Sequence, residues 1–450
     1  MSTVAYKRVA SFFNGKVTID IIEDYKDARG NLCEVWRSDD DQTKNVKQSY
    51  WSETKPFFMR GPHQHRKQID YFISWKNKMV YYFFDENKKF EYFVTDNQNI
   101  FRIKVEPPII HAYRNLDFKN SITGNFPTSL YKGKGKKYKV DEIRYEDNIF
   151  GKPIIFILGS QGRLGRTIYD IFMKNLSLDN YQVIPFFDKF PIFDNNFIFD
   201  FANKINDVKN YFKSENVYVI NCCGKTNVQD IENILDFNEV KRVNAIFPYF
   251  LGEKLNKLNI KFIHFSTDYV YKNVNLEKYP KEKLDKYTQS KKEYENYILE
   301  QIQNNVKLKN IFVLRVSNLF TDDVQDFCNV FYKLFNQIKL LKTIEFDPKH
   351  HIRPTHVQVI AKWVFENILN NKFIYNEEKP VFYNLVSPKY TIEEILHNYF
   401  DYHTIKITES KFIPWHTDFE TDKNATIVHL ENQENYIKEY IEKIKLKNYK

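Results

Sequence analysis

Hydrophobic and polar positions change rhythm once along this chain, near residue 150. Before it, short runs rich in aromatic and β-branched residues are separated by polar, turn-forming clusters: VTIDII (17–22), QIDYFIS (68–74), MVYYFF (79–84), FEYFV (90–94) and IFRIKV (100–105). Closely spaced strands without long helical periods between them predict an all-β sandwich or jelly-roll barrel. After Gly151-Lys152-Pro153, an apolar run, IIFIL (154–158), leads straight into GSQGRLGRTIYDIF. Strand-like runs (YQVIPFF, VYVINCC, KFIHFS, IFVLRVS) then alternate with helix-like segments such as EVKRVNAIFPYFLGEKLNK. That alternation predicts βαβ units and a doubly wound parallel sheet with helices on both faces. A terminal helix is predicted over 432–450, with Tyr436, Ile437, Tyr440, Ile441 and Ile444 on one stripe. Two domains follow, an all-β barrel over 1–149 and an α/β domain over 150–450.

Length supports the division, because 450 residues exceed what one hydrophobic core usually serves. The 42% hydrophobic and 17% aromatic content excludes a disordered chain. The net charge of +9 suits phosphate-bearing ligands, but it is spread along a Lys-rich sequence and does not predict a nucleic-acid partner. Cys33, Cys222, Cys223 and Cys328 fall in no disulfide or metal spacing, which predicts a reducing compartment. The start, MSTVAYKRVASFFNG, has no apolar leader, and no run reaches the ~20 apolar residues of a membrane span. A cytoplasmic protein with no membrane partner is the expectation.

Glycine is scarce, at 12 in the chain, yet Gly159, Gly162 and Gly165 fall within seven residues between a strand and a helix. That placement suits a dinucleotide: a tight turn, a close backbone approach to pyrophosphate, and a helix packed near its strand with its N-terminus on the phosphate. Tyr287 and Lys291 stand as YTQSK, four residues apart and so on one face of a helix. An ammonium beside a phenol favours the phenolate, which makes proton transfer near neutral pH accessible. The strand-like KFIHFSTDYVY precedes them by about twenty residues and brings Thr267, a hydroxyl that can orient a substrate carbonyl. These segments, with VINCCGKTNV, RVNA, VLRVSNLF, RPTHVQVIAKWV and FYNLVSP, resemble in order the extended short-chain dehydrogenase/reductases, in detail the dTDP-4-dehydrorhamnose reductases, over about 151–400. The resemblance implies a Rossmann fold with NADPH or NADH as cofactor. It implies a Thr267–Tyr287–Lys291 catalytic set and cofactor contacts from Gly159, Gly162, Arg163, Leu164, Gly165, Asn221, Cys222 and Thr226. It further implies a water relay at Asn244, and substrate or cofactor contacts from Asp268, Arg315, Ser317 and Arg353. Asp188 at the end of the second strand would favour a free ribose hydroxyl, whereas Arg163 and Arg166 would meet a 2′-phosphate.

In the first half the informative stretches are DARGNLCEVW, MRGPHQHRKQIDYF and VEPPIIHAYRN. A 4-ketone acidifies the neighbouring C–H bonds, and a neutral imidazole inside a barrel can remove such a proton. The stretches resemble the RmlC-like cupins, dTDP-4-dehydrorhamnose 3,5-epimerases, over roughly 20–147. By that resemblance His63 is the catalytic base, and Arg29, Arg60 and His111 lie near the substrate. Three departures stand out. Asn125 occupies the position of the family's tyrosine acid, with Tyr131 further on. The family's active-site lysine has no counterpart. The carboxylate that pairs with the histidine lies in a C-terminal stretch this chain lacks. The Asn125 departure points to one inversion, at C3, against two. The resembled pocket is metal-free, so no metal is expected. His63-x-His65 with His111 and Asp70 is nevertheless a spacing by which other cupins hold zinc or iron, and that reading stays open.

Both chemistries need one 4-keto group, so the pair predicts a bifunctional enzyme. It would act on a UDP- or dTDP-linked 4-keto-6-deoxyhexose and yield an L-rhamnose-type or N-acetylated 6-deoxy-L-sugar nucleotide. A homodimer is expected from the cupin resemblance. Two alternatives remain: a reductase joined to a metal-binding barrel of other function, and a regulatory subunit that binds dinucleotide without turnover.

Overall fold

The structure is a computed structural model. It describes residues 6–39, 45–132, 139–145, 148–177, 180–187, 194–271, 285–323, 331–332, 334–336, 343–346, 351–373, 376, 379–399, 406–409 and 424–448. The chain divides into two compact units. One comprises Met1–Ile154 with Lys174–Ile184 and Asn203–Glu215; the other comprises Ile155–Met173, Pro185–Ala202 and Asn216–Lys450.

The first unit carries two antiparallel sheets. One has six strands in the order Tyr6–Phe12, Val17–Ile22, Ile100–Val105, Asp70–Trp75, Ser121–Asn125 and Tyr50–Thr54. The other has five: Ile143–Arg144, Met59–Gln64, Ile110–Asn115, Met79–Phe84 and Phe90–Val94. Successive side chains alternate between faces. The inward set Val17, Ile19, Phe72, Met79, Tyr81, Phe83, Phe101, Ile103, Val105 and Tyr113 therefore forms one buried apolar cluster. The same alternation carries Asp70 and Ser74 inward beside Phe72, His111 beside Tyr113, and Thr123 and Asn125 on the neighbouring strand, all of them buried. The barrel thus has an apolar part and a polar part, and the polar part lies where His63 pairs in register with His111.

Most strands of the second unit lie in a seven-stranded sheet. Its order is Gln182–Phe186, Ile154–Leu158, Val217–Asn221, Lys261–Thr267, Ile311–Val316, Val381–Val386 and Thr426–His429, parallel from the third strand onward. Strand Ile154–Leu158 reads as an unbroken apolar run because all five of its residues are buried. Chain order reverses between Ile154–Leu158 and Val217–Asn221. Ligands of doubly wound sheets bind beyond the carboxyl ends of the strands at such a reversal. The segment expected as one helix over 239–257 is helical throughout but contains a π-helical turn, Arg242–Ile246, between Phe237–Lys241 and Phe247–Lys257. The terminal helix runs Gln433–Asn448 and buries Ile437, Tyr440, Ile441 and Ile444 against Phe320, Phe331 and Ile395. Among the described residues no helix is long and apolar enough to cross a membrane.

Candidate active sites

In the second unit the glycine turn sits at the sheet's reversal point. Gly159 follows the strand with φ +75°, a region that disfavours side chains, and a Cβ there would lie 3.1 Å from the backbone of Cys222 and Cys223. A Cβ on Gly165 would stand 2.2 Å from the Gly159 carbonyl oxygen, so helix Arg163–Lys174 can start this close to its strand only with glycine there. The adjacent wall comes from the third strand. Cys222 N donates to Leu158 O at 3.0 Å, and Asn221, fully buried, accepts from Cys223 N at 3.1 Å. The amide nitrogen of Asn221 lies 3.0 Å from His264 Nδ1. Leu164 is buried beneath the turn, while Thr226 is exposed. Arg163 is close enough to favour the phenolate of Tyr287, and Arg166 pairs with Asp170 along the helix at 3.0 Å. Asp188 lies outside the described residues.

Thr267 ends strand Lys261–Thr267, and Tyr287 and Lys291 share a face of helix Lys286–Gln303, whose N-terminus Asp285 caps by accepting from Thr288 N at 2.7 Å. Lys291 Nζ is buried and donates to Phe265 O at 2.9 Å; burial lowers its pKa to about 8. Burial pushes Tyr287 far above the usual phenol range, and the Thr267 hydroxyl pulls it partly back. Tyr269 packs edge-on against Tyr287, with centroids 5.7 Å apart. Thr267 Oγ1 donates to Asp268 Oδ1 at 3.2 Å, and Asp268, buried, is raised to about 6 by desolvation against the pull of Ser317, Thr267 and Arg353. Asn244 lies in the π-helical turn and clamps the loop after the third strand: it accepts from Lys225 N at 2.8 Å and donates to Lys225 O and Ser290 Oγ at 2.9 Å.

Two arginines expected to meet ligand have partners within the protein. Arg315 forms a forked pair with Glu295, Nε to Oε1 at 3.1 Å and Nη2 to Oε2 at 2.7 Å, and also donates to the Tyr271 hydroxyl and to Asn384. Glu295, one turn beyond Lys291, also accepts from Ser266 at 2.6 Å. Arg353 donates to Ser387 O at 2.8 Å.

In the first unit His63, His65, Asp70 and His111 each bring one ligand-type atom to a common point, all within 4.8 Å of one another. His63 and His111 stack edge to face with centroids 4.5 Å apart. Burial and the neighbouring His111 depress the His63 pKa strongly, which keeps the ring neutral. Among the described residues the carboxylate within ion-pair distance of it is Glu142, 3.7 Å from Nδ1 and bound in turn to Arg144. Asn125 occupies the interior: its amide nitrogen lies 3.0 Å from Asp70 Oδ1 and 2.7 Å from the Tyr50 hydroxyl. Arg60 is exposed and donates to Thr54 Oγ1 at 3.2 Å. Arg29 stands in an exposed turn, its guanidinium on Asp27, and Tyr131 is exposed as well. The sequence reading had no place for Tyr50, Gln68, Asp141, Glu142 or Glu295. Only Glu295 carried a signal, its four-residue step from Lys291 on the same helix face.

Residues 153–387 match the family described as RmlD substrate binding domain. Among solved structures the chain is similar to a dTDP-4-dehydrorhamnose reductase from Clostridium acetobutylicum, at 20% identity over 65% of this chain and 99% of that one, TM-score 0.42. It is similar to the dTDP-4-dehydrorhamnose reductase from Bacillus anthracis solved with NADP, at 18% identity over 66% and 99%, TM-score 0.41. A third is QdtA, a sugar 3,4-ketoisomerase from Thermoanaerobacterium thermosaccharolyticum solved with TDP, at 15% identity over 29% of this chain and 90% of that one, TM-score 0.25. No curated protein matches the chain. With the glycine turn at the sheet reversal and more than half of its length matched, the chain belongs to the RmlD substrate-binding-domain family.

Proposed function

We propose that the second unit reduces the 4-ketone of a nucleotide-activated 6-deoxyhexose with NADPH or NADH, and that the first unit inverts a centre beside that ketone beforehand. The observation that carries the reading is the Tyr287 phenol hydrogen-bonded to Thr267, with Lys291 one turn along the same helix, in a doubly wound sheet whose reversal carries a glycine turn. The nicotinamide supplies the hydride. Gly159, Gly162, Gly165 and the first turn of helix Arg163–Lys174 bind the pyrophosphate, with Arg163 adding positive charge. Thr267 holds the sugar's carbonyl oxygen, and Tyr287 gives that oxygen its proton as the alkoxide develops. Lys291 supplies the positive charge that offsets the burial of the phenol.

In the barrel, neutral His63 removes a proton alpha to the same ketone, and the enolate is reprotonated on its other face. With Asn125 where the resembled enzymes carry an acid, one inversion, at C3, is the reading. UDP- and dTDP-linked sugars, with C2 hydroxyl or N-acetyl, both suit this chemistry. The test supplies such 4-keto sugars in deuterated water with NADPH. Deuterium at C3 of the reduced product is expected, and deuterium at C5 as well would mean two inversions. His63→Ala should abolish the label while ketone reduction continues, and label uptake unchanged in that variant would remove the barrel from the reaction.

A pH dependence follows for reduction. Asp268 gains its proton as pH falls through about 6, and the Thr267 hydroxyl then loses its anionic acceptor. Lys291 loses its charge as pH rises through about 8. We expect kcat/KM for the ketone to form a plateau between these limbs and to decline on both sides. Lys291→Arg, which stays charged, should carry the alkaline limb upward. A profile with no alkaline limb near that pH would contradict the role given to Lys291.

A further inference from the structure

Inversion of a carbon centre needs a base on one face of the sugar ring and an acid on the other. His63 stands on the five-stranded sheet of the barrel, and Asn125, on the six-stranded sheet, has only an amide where the resembled enzymes carry a tyrosine. A phenol lies directly beside that amide. Tyr50 faces Asn125 in register across the pairing of strands Tyr50–Thr54 and Ser121–Asn125. Alternation along its strand puts Tyr50 on the inward face with Ser52, whose hydroxyl is 2.7 Å from that of Tyr113, and with buried Thr54. The hydrogen bonds fix which atom donates. Against the cost of burial, His111 and His65 hold Asp70 ionised, and a carboxylate only accepts. The Asn125 atom 3.0 Å from Asp70 Oδ1 is therefore the amide nitrogen, and the same nitrogen donates to the Tyr50 oxygen at 2.7 Å. The phenol accepts there and keeps its own hydrogen, which no acceptor among the described residues takes. Should that hydrogen leave, the oxygen retains an N–H donor that favours its anion. Until then burial and the Asp70 carboxylate raise the phenol above its ordinary range, so it is protonated at neutral pH.

We propose that Tyr50 is the acid that completes the inversion and that Asn125 is the residue that positions it; this rests on the reading of the first unit as an epimerase. The two sheets are joined by a line of contacts between base and acid. His63 stacks on His111, His111 Nε2 lies 3.3 Å from Asp70 Oδ2, and Asp70 is tied through Asn125 to Tyr50. The other candidates are engaged or remote. Tyr113 is 5% exposed, with its hydroxyl on Ser52. His65 is held at both nitrogens, by the backbone oxygen of Asp141 at Nδ1 and by Asp70 Oδ2, 2.9 Å from Nε2. Tyr131 is exposed, with Lys132 over its ring. Tyr50, 45% exposed, can be reached by a ligand entering from solvent. In the reaction His63 takes the C3 hydrogen as a proton, and the bonding pair moves onto the C4 oxygen as an enolate. That pair returns to C3 as Tyr50 delivers its phenolic proton to the opposite face, restoring the ketone. The tyrosinate is held by the Asn125 amide. His63 then releases its proton to water and Tyr50 regains one, so the cycle consumes no other reagent.

The test uses the full chain with UDP- and dTDP-linked 4-keto-6-deoxyglucose in deuterated water, without NADPH, so that the ketone persists. Nuclear magnetic resonance follows deuterium entering C3, and borohydride trapping reports the configuration there. Removal and delivery of the proton are thereby read separately. Tyr50→Phe should still take up deuterium at C3, because His63 can return a solvent-exchanged deuteron to the face it came from. Its inverted product should fall by ~10²–10⁴-fold. Continued exchange also certifies that the variant barrel is folded. Asn125→Ala should shift the ratio of inversion to exchange in the same direction by a smaller factor. Tyr113→Phe and Tyr131→Phe should keep that ratio within tenfold of wild type. Inversion by Tyr50→Phe within tenfold of wild type would overturn the assignment and leave the epimerase reading standing. So would loss of exchange together with inversion in a Tyr50→Phe chain of unchanged circular dichroism, since the phenol would then serve binding or the removal step. A collapse of inversion in Tyr113→Phe alone would move the acid to the other sheet. A wild-type chain with no exchange at C3 would instead sink the epimerase reading itself.

Discussion

Tyr287→Phe should lower kcat for ketone reduction by ~10²–10⁴-fold, the range by which a positioned general acid accelerates a reaction. The substitution removes one oxygen from a helix whose N-terminal cap and buried face are unchanged, so folding and NADPH affinity should persist. KM should move little, because Thr267 still meets the carbonyl. Single-turnover oxidation of NADPH, followed with the 4-keto sugar in excess, measures the step directly. In the same variant, deuterium uptake at C3 should continue, since His63 belongs to the other unit. A Tyr287→Phe enzyme within tenfold of wild type would dismiss the proposed acid.

The second large effect is on stability. Glu295→Ala should destabilise the second unit by about 3–5 kcal/mol, the usual cost of stripping one partner from a buried ion pair. Arg315 and Glu295 are 7% and 5% exposed, and the substitution strips the buried guanidinium of its carboxylate partner. Ser266 loses its acceptor as well. Replacing both charges, with Glu295→Gln and Arg315→Met together, should recover much of the loss, because no bare buried charge then remains. Urea denaturation compares the three proteins. A single variant within about 1 kcal/mol of wild type would show that the pair is solvated in solution.

Much of this was legible in the sequence. Strand IIFIL, the glycine turn after it, Thr267 at a strand end and the Tyr287–Lys291 step all depend on residues close together in the chain, whose spacing alone states their geometry. The structure differs where partners are remote. Arg315 reads as a ligand-facing cation until Glu295, twenty positions earlier, is found beneath it. Asn125 reads as a missing acid, but its amide bridges Asp70 and Tyr50, contacts 55 and 75 positions away. The π-helical turn at Arg242–Ile246 leaves the hydrophobic pattern of a continuous helix intact and so gives no warning. Asp141 and Glu142 lie in a charged stretch without periodicity, and only strand pairing of Ile143 and Arg144 with Gln64 and His63 brings them to the histidines.

That last pairing sets a condition on assembly. The Asp141 carboxylate gathers the amide hydrogens of Arg66, Lys67 and Gln68 at 3.2, 2.8 and 3.0 Å, so one side chain fixes a segment synthesised some seventy residues earlier. A ribosome-bound chain that has not yet released Asp141 and the strand after it therefore holds strand Met59–Gln64 with one edge open. Any shortened protein made to study the barrel by itself has to extend past Arg144, or the imidazoles lose the groups that orient them.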